Sequence, residues 1–219
     1  MTTPNVPPRK RSVTDEETMT EWFMLHKREV TWAVVAMAIV GGGFWFYQRS
    51  QSIKGQRAET AYFRARQSAA GNPALAVSDL QKVATRYEGT SAGAQAALSL
   101  SQAFYDQKKY KEGIEALKMA ESKAPAEFKP SIHVLEASGY EDLKDFTAAA
   151  EQYKVAAEQT RFPTDKAQYQ AAAARDYMAA GKIAEAKAIW TALGKDETSP
   201  VAPEARVRLG ELEAKPVKI

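Results

Sequence analysis

The sequence predicts an all-α protein in which a single N-terminal transmembrane helix is followed by an α-solenoid of repeated helical hairpins. Three observations lead to this fold class. Residues 30–47 carry no charge. The rest of the chain is rich in alanine and other helix formers, without the runs of alternating β-branched residues that indicate strands. Beyond position 75, a pattern of small and large apolar residues recurs every 36 or 37 residues.

The uncharged segment from Val30 to Tyr47 is the predicted membrane span. Its 18 residues would form a helix of about 27 Å, close to the hydrocarbon thickness of a bilayer. Aromatic rings stand near both ends, where the headgroups lie, and we predict membrane-interface positions for Trp32, Trp45 and Tyr47. The chain therefore divides into a tail (1–29), a transmembrane helix (30–47) and a helical repeat domain (48–219).

The tail before the span has two parts. Its first 17 residues contain three prolines and little that is apolar, which predicts disorder in isolation. Further on, Trp22 and Phe23 stand close to the basic residues Lys27 and Arg28, a combination that suits the headgroup layer. We therefore predict membrane-interface positions for Trp22 and Phe23 as well. The alternative is that both rings dock into a partner protein at the membrane surface.

The span favours a retained anchor over a cleaved signal peptide. The 29 preceding residues are long for the basic region of a signal peptide, and aromatic residues follow the glycines where a small-residue cleavage site would be needed. Basic residues flank the span on both sides, so charge alone leaves the orientation open. Because long domains cross membranes largely regardless of their charge, we expect the tail inside the cell and the repeat domain outside.

The repeat domain is organised around a small residue that is followed by apolar or small residues four and seven positions later. This spacing places each set on one helical face. The pattern occurs four times, in the sets Ala76, Leu80, Val83; Gly113, Leu117, Ala120; Ala149, Tyr153, Ala156; and Ala186, Trp190, Leu193. Prolines and glycines between the sets mark where helices end. We predict that one helix continues from the span to about residue 70, followed by helices over residues 74–87, 91–106, 110–122, 127–143, 147–160, 164–180, 183–194 and 203–214.

This pattern resembles the tetratricopeptide repeat, a helix-turn-helix unit of about 34 residues. Phe104, Tyr140 and Tyr177 stand nine residues before successive small residues, at the aromatic position of the family's first helix. The chain departs from the family at two positions of the first helix. The early tryptophan position is filled by Ala97, His133 and Gln170. The glycine position is filled by Ser101, Ala137 and Ala174. The resemblance covers about residues 57–213.

The family forms a concave, protein-binding wall from its first helices. Carried over by offset, the resemblance implies that this wall consists of Gln95, Leu98, Gln102, Tyr105, Ser131, Val134, Ser138, Glu141, Gln168, Ala171, Arg175 and Met178. The set is mixed and mostly uncharged. It lacks the lysines and asparagines with which some members clamp a terminal carboxylate, so we expect an extended or helical segment of a partner protein to bind here.

The first seventy residues carry a second likeness. An acidic cluster at residues 15–17 and the Trp22-Phe23 pair precede a glycine-bearing span, which leads into a helix with Ala58, Tyr62 and Ala65. This order resembles the YfgM-like family of ancillary subunits of the SecYEG translocon. Members have a cytoplasmic tail, one span and a periplasmic tetratricopeptide-like domain. The resemblance therefore implies a bacterial inner-membrane protein that associates with the translocon and with periplasmic chaperones.

The sequence indicates no catalysis and no cofactor. It has no cysteine, and its two histidines, His26 and His133, lie 107 residues apart without a phosphate-binding loop or a metal-spaced cluster. We expect His133 to be packed within its repeat, and we expect no bound metal, cofactor or small-molecule substrate. A net charge of +3 is too small to indicate nucleic-acid binding.

Two functional interpretations remain from the sequence. The favoured one is a membrane-anchored scaffold that holds a protein-binding solenoid near the secretion translocon and periplasmic chaperones. The alternative is a permanent structural subunit of another large membrane complex, respiratory or photosynthetic, in which tail, span and solenoid each contact neighbouring subunits.

Overall fold

The computed structural model of the protein describes Trp22, residues 24–69 and residues 73–214. Within these ranges the chain is helical and forms no strand, which confirms the predicted fold class. The chain divides into two compact units, one ending at Ser52 and one beginning at Ile53. The disorder predicted for the first 17 residues concerns positions outside the described ranges.

The first helix, α1 (Lys27–Ala69), begins in the first unit and ends in the second. Within the described ranges it is the one helix long and apolar enough to cross a membrane, and none of the residues in its apolar window is buried. A core helix of a globular domain would be covered on at least one side. The structure thus contains the long apolar N-terminal helix that the sequence predicts.

The second unit is a succession of helical hairpins, and from Pro73 onward each helix packs against the next along the chain. Beyond α1, the described helices are α2 (Pro73–Arg86), α3 (Ser91–Asp106), α4 (Tyr110–Glu121), α5 (Lys129–Asp142), α6 (Phe146–Gln159), α7 (Pro163–Ala179), α8 (Ile183–Lys195) and α9 (Ala202–Glu213). All eight agree with the predicted bounds to within two residues. A short 3-10 turn at Ala126–Phe128 was not predicted.

The recurring small residue occupies the same place in four helices. Ala76, Gly113, Ala149 and Ala186 are each the fourth residue of α2, α4, α6 and α8, and each is buried. The residues four positions later are buried too: Leu80, Leu117, Tyr153 and Trp190. A spacing of four keeps both residues on one face of a helix. The sequence pattern therefore marks the face that each second helix turns into the stack.

The turn between the two helices of a hairpin has the same backbone conformation in three hairpins. Lys108, Lys144 and Gly181 have positive φ angles of 60°, 63° and 74°. In each case the next N–H donates to a carbonyl five residues earlier, at Phe104, Tyr140 and Tyr177, over 2.9, 2.9 and 2.8 Å. This hydrogen bond belongs to the Schellman motif, which ends many helices. Glycine adopts the left-handed conformation freely, whereas a lysine is strained there by about 1 kcal/mol.

Candidate protein-binding surface

The three first helices α3, α5 and α7 carry the residues of the predicted concave wall, four on each helix. Ten of these twelve residues are exposed or half-buried. We refer to these ten residues as the wall: Gln95, Leu98, Gln102, Ser131, Val134, Ser138, Glu141, Gln168, Arg175 and Met178. They offer amide, hydroxyl and aliphatic groups with few charges, a composition that can accept the polar backbone and the apolar side chains of a partner segment.

Tyr105 and Ala171 do not belong to an accessible surface, and their assignment to the wall was wrong. Tyr105 is 7% exposed, and its hydroxyl donates a hydrogen bond to the carbonyl of Leu135 over 3.0 Å. Its ring fills space left by two glycines: a Cβ on Gly113 would lie 2.7 Å from Cδ1 of the ring, and one on Gly139 would overlap the hydroxyl.

The burial of these two residues has a physical reason. Burial raises the pKa of the Tyr105 hydroxyl to about 12, and the charges of Glu136 and Asp142 add to the rise. Ala171 is fully buried in the same cluster as Trp190, where its small side chain fits the packed interface. The offset from the repeat predicts which helical face a residue occupies, but it does not predict how deeply the residue is buried.

The carboxyl groups of Glu141, a wall residue, and Asp176, a buried residue, form an interacting pair. Asp176, adjacent to Arg175 on α7, is 5% exposed, and its Oδ2 atom makes no hydrogen bond within the described part of the chain. Burial raises the pKa of Asp176 to about 7, the charge of Glu141 adds to the rise, and Arg175 opposes it. Burial also raises the pKa of Glu141. One proton held by this pair avoids two adjacent negative charges, one of them buried.

Arg175 extends this cluster toward the last helix. Its guanidinium donates two hydrogen bonds to the Glu204 carboxylate, from Nε to Oε1 and from Nη2 to Oε2, both over 2.7 Å. The two parallel bonds fix the orientation of the arginine. One wall residue is therefore already engaged within the chain, and a partner would meet an Arg–Glu pair rather than an isolated cation.

A second buried carboxyl group lies in the preceding hairpin. Glu136 on α5 is 1% exposed. Burial raises its pKa to about 7, Glu121 adds to the rise, and Lys118 opposes it. Neighbouring His133 is buried, as expected, and its Nδ1 lies 2.8 Å from Oε1 of Gln152. These buried acids were not predicted from the sequence, although Ile132, Glu136 and Gly139 share one helical face.

These titratable groups are buried within the packed helices of the stack. The buried carboxyl groups and His133 are contacted by neighbouring helices of the stack. Among the described residues, no group of three or more histidines and acids is arranged to hold a metal ion. The arrangement can exchange protons with solvent as the pH changes, and it offers side chains for recognition at the surface.

The predicted membrane-interface residues within the described ranges are exposed. Trp22, Trp32, Trp45 and Tyr47 are 53%, 66%, 67% and 62% exposed. The Trp22 ring stacks on the imidazole of His26, with 4.9 Å between their centroids. Phe23 lies outside the described residues.

Comparison with known proteins identifies the fold family. The tetratricopeptide repeat-like domain matches residues 20–135, and the tetratricopeptide repeat matches residues 171–215. The fold is similar to a crystal structure of kinesin light chain-like, nearly identical TPR-like repeats from Podosopora anserina. The TM-score is 0.52 at 16% identity, covering 72% of this chain and 86% of that chain. No curated protein matches the chain.

The matched family accounts for the repeated hairpins. Tetratricopeptide repeats mediate protein–protein interactions and are typically not catalytic, so the second unit is a protein-interaction scaffold. The first family match covers more than half of the sequence. It begins at residue 20, before the start of α1, and therefore includes the apolar window of that helix. The chain therefore belongs to the family of tetratricopeptide repeat-like domain proteins.

Proposed function

We propose that this protein is a membrane-anchored scaffold that holds its tetratricopeptide domain beside a bacterial inner membrane. In this proposal, residues 1–29 form a cytoplasmic tail, residues 30–47 cross the bilayer, and residues 48–219 form the periplasmic domain. The partners are the SecYEG translocon and periplasmic chaperones, which is what the resemblance to the YfgM-like family implies. The scaffold binds protein and lipid, and needs no cofactor.

The exposed apolar window of α1 is the observation that carries the proposal. Large apolar side chains along it face outward, including Val40, Phe44 and Phe46, which are 72%, 63% and 71% exposed. A contiguous apolar surface of this kind is unfavourable in water and is typical of a segment that lipid or another protein covers. The aromatic rings of Trp32, Trp45 and Tyr47 support a lipid environment, since such rings favour the two interfaces of a bilayer.

The wall is the proposed binding surface for a protein segment. Exposed amides at Gln95, Gln102 and Gln168 can hydrogen-bond to a peptide backbone, while Leu98 and Val134 offer half-buried apolar contacts. Such a surface recognises the shape and the backbone of a segment more than its charge. This property fits a scaffold with several clients.

Isolation of the complex in mild detergent, followed by mass spectrometry, tests the choice of partner. We expect translocon subunits and periplasmic chaperones in substoichiometric amounts. One fixed complex at a constant ratio would instead indicate a permanent structural subunit and would refute the translocon scaffold. A periplasmic reporter fused after Ile219 tests the orientation, and activity of a cytoplasmic reporter at that position would overturn it.

Photo-crosslinking tests the wall itself. A photoreactive amino acid placed at Gln102 or Gln168, both exposed on first helices, should crosslink to the recovered partners. The matched control is Glu158, which is exposed on the second helix α6. Equal crosslinking from Glu158 would show that the wall is not the binding surface.

A further inference from the structure

A groove in the first hairpins lies outside the wall. It is formed by α2, α3 and α4 and encloses a cavity of about 320 Å³. Its apolar lining consists of Ala84, Leu100, Phe104, Ala116, Met119 and Ala120. Met119 is 67% exposed, which is unusual for a large apolar side chain beside a packed core. The groove therefore offers apolar surface that the domain itself leaves uncovered.

The groove and the wall lie on opposite faces of α3. Leu100 and Phe104 line the groove, whereas Leu98 and Gln102 belong to the wall. Residues two positions apart are separated by roughly 200° around a helix. A partner in the groove would consequently leave the wall of this hairpin free for another segment.

The polar rim of the groove has one sign of charge. It consists of Gln81, Thr85, Glu88, Glu112 and Glu115, and the described residues that line it include no lysine or arginine. Glu88 is paired with Lys123 over 2.5 Å. Glu112 and Glu115 are exposed, and within the described part of the chain neither carboxylate has an ion-pair partner. Two carboxylates without an ion-pair partner among the described residues thus stand beside the apolar floor.

We propose that this groove docks a cationic amphipathic helix of a partner protein. One or two large apolar side chains of that helix would pack on Met119 and Phe104, and its lysines or arginines would pair with Glu112 and Glu115. The cavity has the volume of the smaller ligand sites in proteins, which suits a side-chain anchor. Helices bind to such grooves through apolar residues spaced three and four apart. The carboxylates would select a basic partner and speed its association.

The probe is a fluorescently labelled synthetic helix of leucine, alanine and lysine with leucines spaced three and four apart. It is titrated with the full chain in non-ionic detergent micelles, and binding is followed by fluorescence anisotropy. The double variant Glu112→Lys with Glu115→Lys should bind at least tenfold more weakly. The matched control is Glu158→Lys with Glu185→Lys, two exposed residues outside the groove, which changes the net charge equally. Micelle partitioning of the probe is the same in both measurements.

Each outcome decides the proposal. Loss of binding in the groove variant alone supports it, as does weaker binding in Met119→Ser, whose exposed side chain can be shortened without opening the core. Equal losses in both double variants indicate unspecific charge attraction and overturn it. The absence of binding by the wild-type chain also overturns it. Sedimentation that shows self-association through Met119 would assign the groove to a second copy of the chain and refute the basic partner. Circular dichroism of each variant establishes that it is folded.

Discussion

Replacing Asp176 by asparagine should make the stability of this protein less dependent on pH. Asp176 is 5% exposed, and burial together with the charge of Glu141 raises its pKa from 3.8 to about 7. Between about pH 4 and pH 7 the folded chain therefore holds a proton that the unfolded chain has released. Asparagine has nearly the same shape as aspartic acid and is never charged.

The sign of the effect follows from proton linkage. Because the pKa of Asp176 is raised in the folded state, its contribution to stability is fully present below its ordinary pKa of 3.8 and is lost as the pH rises through about 7. At about 1.36 kcal/mol per pH unit, this difference corresponds to about 4 kcal/mol. Local solvation of the carboxylate reduces this value, so we expect about 2–4 kcal/mol.

The assay is urea unfolding of the full chain in non-ionic micelles, followed by far-ultraviolet circular dichroism between about pH 4 and pH 8. Asp176→Asn should match the wild type at the acidic end and exceed its free energy of unfolding by about 2–4 kcal/mol at the alkaline end. The control Asp142→Asn changes an exposed acid and should show no such divergence. A constant difference between Asp176→Asn and the wild type across this range would refute the reasoning.

Four further substitutions test the packing and the turns. Gly139→Ala should lower the free energy of unfolding by about 1–3 kcal/mol, because the new Cβ would overlap the Tyr105 hydroxyl; chemical denaturation measures this loss. Lys144→Gly should raise the same free energy by about 1 kcal/mol, and Gly181→Ala should lower it by about 1 kcal/mol, because both positions have positive φ. Trp190→Ala should cost about 3–5 kcal/mol, since this side chain is fully buried, and thermal unfolding followed by circular dichroism should show a lower midpoint.

The packing prediction has a control within the same chain. Gly210 lies in α9 with open space around it, so Gly210→Ala should stabilise the helix by up to about 1 kcal/mol. Equal effects at positions 139 and 210 would contradict the account of the Tyr105 site. If Lys144→Gly lowered stability, a lysine contact rather than backbone strain would govern that turn. A small loss in Trp190→Ala would show that the last hairpin contributes little to the measured unfolding.

The hairpins could be predicted because their signals are local. Spacings of four and seven residues fix a helical face, and glycine or proline marks the ends of that helix, so Ala76 and Ala186 could be placed on equivalent faces from sequence alone. The described bounds of the helices agree with these predictions. The tail and Phe23 lie outside the described residues, and their predicted roles stay predictions.

The depth of individual residues could not be predicted in the same way. Tyr105 is buried because two glycines from different helices make room for its ring. The sequence around position 105 does not indicate that these glycines come together there. Acids such as Glu136 are seldom fully buried, so a rule of thumb would place it at the surface. The groove is likewise lined by residues from three helices. Its negative charge becomes visible only when these helices are packed together.

The repeated position of the small residue makes the hairpins interchangeable building blocks. Gly113, Ala149 and Ala186 are each the fourth residue of their helix. A duplication of one whole period would therefore bring the same packing faces together at both new junctions. An insertion of another length inside a helix would instead rotate the residues beyond it away from the packed face. Related sequences can therefore gain or lose whole repeats without requiring a new packing interface between helices.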